Sequence, residues 1–154
     1  MRRARTALRK TLLAATACLA LAAGTAPNAT AGDVRAEADR IMGLNRFDFV
    51  NHPHDPPFDW ENDGCTWWPD GVFYEACAQH DFGYRNYGNH GATGLSLSPT
   101  EATKAWIDER FLNQMRFACN ENYPEGSTER QWCLGEANVM YDGLRAGLAD
   151  GAFY

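Results

Sequence analysis

Four cysteines, Cys65, Cys77, Cys119 and Cys133, constrain this chain more than any other feature. An even number of cysteines in a small exported protein predicts two disulfides, and four cysteines admit three pairings. Sequential pairing, Cys65–Cys77 with Cys119–Cys133, closes two short loops, each contributing about 3 kcal/mol in the chain-entropy account. The spacings lack the closely set C-x₂₋₄-C pairs of a structural zinc site. The fifth cysteine, Cys18, falls in a segment that reads as removable.

That segment is residues 1–31. Arg2, Arg3, Arg5, Arg9 and Lys10 make a basic start, Thr11 to Ala23 is an apolar run too short to span a bilayer, and Ala29-Thr30-Ala31 is a small-x-small site. Together these predict a secretory signal peptide cleaved after Ala31, leaving residues 32–154 as one mature domain. No later stretch is apolar enough for a transmembrane helix. The mature part carries 9 basic against 20 acidic residues, a balance of −11. This argues against a nucleic-acid partner, which needs basic patches, and against strong attraction to anionic membranes. It suits a cation site, or solubility outside the cell.

The mature chain reads as all-α, with no convincing strand and no internal repeat. Asp33 is a candidate cap for a short helix over residues 34–42, stopped by Gly43. Residues 45–60, with Pro53, Pro56 and Pro57, read as irregular extended chain. His52 and His54 form an H-x-H pair there, a weak metal signal. Residues 59–71 form a loop rich in oxygen ligands and turn formers. Helices are expected over residues 73–87, from Ser98-Pro99-Thr100-Glu101, with Ser98 as the N-cap, to about Cys119, and from Thr128 to about Leu148. Trp67, Trp68, Phe73 and Tyr74 read as divided between the core and an apolar rim.

On the first long helix Cys77, His80, Asp81, Tyr84 and Gly88 share one face, and on the next Asp108 lies in line with Phe111, Leu112, Met115 and Cys119. A carboxylate in an apolar stripe is costly unless paired. A loop of roughly ten residues joins the two helices, which predicts antiparallel packing. Reflecting positions about the loop centre, near residue 94, sets His80 opposite about residue 108. The same reflection leaves Cys77 and Cys119 about eight residues out of register, about 12 Å at the α-helical rise. A disulfide tolerates Cα separations only up to about 7 Å, so the register favours sequential pairing.

A histidine held by a carboxylate is a general base of fixed tautomer. With no serine or free cysteine nucleophile apparent beside it, the nucleophile it implies is water. Water attack on an ester builds an oxyanion, which a divalent cation can stabilise. Asp81 follows His80, and Asp63-Gly64 lies in the loop next to Cys65. These are hard oxygen ligands, which suit calcium rather than zinc. Taken singly, a helical His-Asp dipeptide is usually surface decoration, and Tyr84 and Tyr87 read as packing or hydrogen-bonding residues. The functional reading comes from the constellation.

Cys77-Ala78-Gln79-His80-Asp81-Phe82-Gly83-Tyr84-Arg85-Asn86-Tyr87, with Phe58-Asp59-Trp60, Asp63-Gly64-Cys65, Ile107-Asp108 and Phe111, resembles the secreted phospholipase A2 enzymes of bacterial and fungal type, Streptomyces included. The resemblance covers most of residues 58–133. It implies a disulfide-stapled helical domain with two long antiparallel helices. It implies a monomer acting on phospholipid at a membrane or micelle surface, hydrolysing the sn-2 ester to a lysophospholipid and a free fatty acid. It implies His80 as the base acting on water and Asp108 as its orienting partner. It implies Ca²⁺ held by the carboxylates of Asp63 and Asp81 and the Gly64 carbonyl. One departure is the segment between Cys65 and Cys77, which is shorter than is usual in that family. Two other readings compete: a non-catalytic secreted calcium- or lipid-binding protein, and a zinc hydrolase using His52, His54 and His80.

Overall fold

A computed structural model describes residues 30–66 and 68–154. The basic start and apolar run expected to form a signal peptide, with Cys18, and Trp67 lie outside the described residues. The described chain is helical: α1 (Ala31–Met42), α2 (Arg46–Val50), α3 (Tyr74–Tyr87, entered through a 3₁₀ turn at Gly71–Phe73), α4 (Glu101–Asn122), α5 (Thr128–Arg145) and α6 (Asp150–Phe153).

Helix starts differ from the sequence reading where two capping residues compete. Thr30, not Asp33, caps α1: its hydroxyl accepts from the Asp33 amide, and the Asp33 carboxylate accepts from the Thr30 amide. Asp33 is thus the third helical residue of a capping box. Thr100, not Ser98, caps α4, and Ser98 bonds Thr103 through its side chain. The region 45–60 is not wholly extended. Asn45 accepts from the Asp48 amide and starts α2, which ends before the first proline. The last long helix stops at Arg145, short of Leu148, because Gly147 adopts φ +94.

α3 lies at the centre, buried on two sides. One cluster joins it to α1, α2 and the C-terminal end through Ile41, Phe49, Phe82, Tyr87 and Phe153. The other joins it to α4 and α5 through Phe73, Phe111, Met115 and Ala137, around both disulfides. Each large apolar side chain buried in this way contributes about 1.5–3 kcal/mol. The disulfides are Cys65–Cys77 and Cys119–Cys133, the sequential pairing, with Cα separations of 5.2 and 5.6 Å. α3 and α4 run antiparallel: His80 meets Asp108 and Phe111, while Tyr84 meets Lys104 and Asp108. Gly83 permits this approach, since a Cβ there would lie 2.7 Å from Cγ2 of Ile107.

Candidate active site

α3 presents His80 and Asp81 from adjacent positions, so the two side chains diverge, one toward α4 and one toward the loop at residue 63. His80 Nε2 is 3.0 Å from Oδ1 of Asp108, and the histidine side chain is nearly buried. The register inferred from the loop midpoint therefore holds. Asp108 is fully buried, and both of its oxygens are in use. Oδ1 also accepts from the Tyr84 hydroxyl at 2.7 Å, and Oδ2 accepts from Lys104 Nζ at 3.1 Å and Arg145 Nη1 at 2.9 Å. Burial works to raise the Asp108 pKa. The hydrogen bond and charge of His80 outweigh it, with the hydrogen bonds from Tyr84 and Arg145, and hold the group below the ordinary carboxylate range. An anionic Asp108 fixes the imidazole with its proton on Nε2, leaving Nδ1 as the nitrogen able to accept one. Burial, then the Asp108 charge and hydrogen bond, push the Tyr84 phenol far up, so it stays a neutral donor.

Asp81 reaches the other way. Its Oδ2 accepts from the Asp63 backbone amide at 3.0 Å, and Asp63 Oδ1 accepts from the Thr66 hydroxyl at 2.9 Å. Gly64 has φ +71, and a Cβ there would lie 2.3 Å from Oδ1 of Asp70. That same oxygen accepts from the Cys65 amide at 2.8 Å and so holds the turn. Burial raises the Asp81 carboxyl to about 7, the amide of Asp63 opposes this, and the charge of Asp63 adds to the rise. A half-buried carboxylate pushed up beside a second carboxylate is relieved by a cation. The donors are all hard oxygens, which fits Ca²⁺. Among the described residues no three His, Cys, Asp or Glu side chains gather as a metal cluster, so backbone and water oxygens have to complete any cation shell.

The loops flanking this centre are pinned to α3. Asn86 donates to the carbonyls of Asp59 and Phe82 and accepts from the Asp59 amide, and the Asp59 carboxylate accepts from the Ala92 amide at 2.7 Å. A cavity of ≈ 750 Å³ opens over the site. His80, Asp81, Asp63 and Gly64 line it together with Trp68, Phe111, Met140, Leu144 and Leu148. Of the divided aromatics, Phe73 is buried, Trp68 is half-buried in the cavity wall and Tyr74 is exposed.

The zinc reading does not survive. The rings of His52 and His54 stack on Trp60, with centroids 5.6 and 4.7 Å away, and His52 bonds Arg40 and the Pro53 carbonyl. They form no metal cluster with His80. Sequence reasoning passed over Lys104 and Arg145. Lys104 stands four residues before Asp108, the spacing of a helical ion pair, so its signal was present. Arg145 is 37 residues away from Asp108 and carried none.

Fold and site define a disulfide-stapled helical protein with a histidine–carboxylate pair at an apolar cavity, flanked by an oxygen-rich loop. The family model described as prokaryotic phospholipase A2 matches residues 43–147, and the chain belongs to that family. It is similar to a protein named secretory phospholipase A2 from Beauveria bassiana (strain ARSEF 2860), 37% identical over 92 residues, covering 56% of this chain and 42% of that protein. It is also similar to one of the same name from Arthroderma benhamiae (strain ATCC MYA-4681 / CBS 112371), 30% identical over 129 residues, covering 77% of this chain and 82% of that protein.

Proposed function

We propose that this protein is a secreted, calcium-dependent phospholipase A2 that cleaves the sn-2 ester of glycerophospholipids at a lipid surface. The observation that carries the reading is the His80–Asp108 hydrogen bond of 3.0 Å beside an apolar cavity large enough for an acyl chain. In this mechanism Nδ1 of neutral His80 takes a proton from water as that water attacks the ester carbonyl. Asp108 keeps the ring in the required tautomer and balances the imidazolium that forms. The imidazolium then gives its proton to the departing glycerol oxygen as the tetrahedral centre collapses to fatty acid and lysophospholipid. Phe111, packed against the His80 ring at 4.7 Å, and the apolar wall keep bulk water from the base. Asp63, Asp81 and the Gly64 carbonyl are the residues that would hold Ca²⁺, which supplies charge stabilisation for the ester oxygen when bound.

The secretory names of the relatives support export, and the Ala29-Thr30-Ala31 pattern is the basis for proposing cleavage after Ala31. Cleavage there removes Thr30 and the capping box, so α1 in the mature protein starts nearer Asp33. The test is release of labelled fatty acid from phosphatidylcholine vesicles, with calcium and with EGTA. Release in calcium alone supports the reading. Vesicle binding without release would make the protein a lipid binder instead.

A further inference from the structure

We infer that Lys104 is a positioning residue that ties the base-orienting carboxylate to the wall of the acyl-chain cavity; this rests on the phospholipase reading above. Lys104 is 1% exposed, and its ammonium has three oxygen partners. They are Asp108 Oδ2 at 3.1 Å, the Leu144 carbonyl at 2.8 Å and Asp150 Oδ1 at 3.4 Å. A lysine is taken this far from water only where every donor is matched. Charge balance for Asp108 does not require it, because Arg145 already donates to the same oxygen at 2.9 Å.

Arg145, the last residue of α5, already joins Asp108 to that helix end. What Lys104 alone adds is the link onward from Leu144, in the same turn, to Asp150, which opens α6. The bend between them contains Gly147 at φ +94, and Leu144, Leu148, Ala149 and Ala152 line the same cavity as His80. One ammonium therefore holds Oδ2 of Asp108, which it shares with Arg145, and reaches from it to both ends of the bend. The far end of the segment is held separately. Phe153 is buried against Tyr84 with ring centroids 5.1 Å apart, and the Tyr154 hydroxyl donates to Glu101. Loss of the Lys104 tie should loosen the bend while the anchor beyond it remains.

The experiment compares wild-type protein with Lys104→Met on water-dispersed phosphatidylcholines of increasing sn-2 chain length, together with amide hydrogen exchange. Losing a charged hydrogen bond to the orienting carboxylate should lower kcat by about tenfold to a hundredfold. The loss should be greater for long chains than for short ones, so that the kcat/KM preference for long chains flattens. Exchange of the amides in residues 146–152 should quicken by about tenfold or more, with α3 unchanged. Equal loss at every chain length, in step with the folded fraction by circular dichroism, or unchanged exchange in residues 146–152, overturns the inference. If Lys104→Met does not fold, Asp150→Asn, at an exposed position, is expected to shift the same two readouts by about two- to threefold. No change in either with that variant is equally fatal. Absence of turnover by wild-type protein overturns the phospholipase reading, and the exchange comparison then decides the tie by itself.

Discussion

Replacing Asp108 with Asn changes one atom type at the centre of a four-donor carboxylate. The amide can be placed in two ways, and the structure decides between them. With its oxygen toward His80 and Tyr84, the NH₂ would face Lys104 Nζ and Arg145 Nη1, which sit 3.1 and 2.9 Å from the present Oδ2. Two charge-assisted hydrogen bonds would be lost, each contributing about 1.5–3 kcal/mol. With the oxygen toward the cations, the NH₂ faces His80 Nε2 and the Tyr84 hydroxyl; two charge-assisted bonds are lost here too, but both of these partners can accept from the NH₂, which Lys104 and Arg145 cannot. The phenol can turn to accept, so the second placement wins. His80 must then present an acceptor at Nε2 and carry its proton on Nδ1, the nitrogen that has to receive one from water. Activity should fall by about 10³–10⁴-fold, the size of effect when such a replacement inverts a catalytic histidine's tautomer. The assay is kcat for fatty-acid release at neutral pH, with ¹⁵N chemical shifts of the His80 ring as the direct readout. The same change should remove stability at neutral pH. A carboxyl held below its ordinary range stabilises the fold above that range, and this stabilisation is lost as pH falls through its folded pKa, so the variant should lack that part of the acid-side slope. Activity within tenfold of wild type, or an Nε2–H ring in the variant, would refute the tautomer argument.

Other consequences follow from the remaining contacts. The raised Asp81 carboxyl makes its ionised form unfavourable, so the metal-free protein should lose stability as pH rises through about 7, and added calcium should reverse the loss. Thermal melts with EGTA and with calcium across pH 5–8 check this, and identical curves would contradict it. Gly83→Ala should put a methyl 2.7 Å from Ile107 Cγ2. Overpacking of about 1–3 kcal/mol then exceeds a helix-propensity gain of about 1 kcal/mol. The melting temperature should drop by roughly 4 °C per net kcal/mol, and kcat should fall because the α3–α4 spacing sets the His80–Asp108 distance. An unchanged melt and kcat would show that Ile107 moves freely.

The His80–Asp108 register was legible because helical geometry is local and repetitive. An acidic residue in the stripe Phe111, Leu112 and Met115 signalled a buried partner, and a loop of limited length placed that partner near His80. The disulfide pairing followed from the same register. Capping positions were less legible, since Asp33 competes with Thr30 and Ser98 with Thr100, and the winner depends on where the chain turns. α2 was hidden by the prolines beyond it, although Asn45 and Asp48 had the cap spacing. Arg145, Phe153 and Tyr154 reach the site only through tertiary packing, and no short-range pattern marks them. The oxygen-rich loop was recognisable by composition, but Asp70, which props Gly64 and Cys65, became visible only through its contacts.

In the proposed mechanism His80 is the base that turns water on the sn-2 ester. The most direct measurement gives wild-type protein and His80→Ala a glycerophospholipid carrying different labels in its sn-1 and sn-2 chains, in the presence of calcium. Wild type should release the sn-2 label alone, and the folded variant should lose about three or more orders of magnitude in rate. Release of the sn-1 label, or His80→Ala turnover within tenfold of wild type, would contradict it.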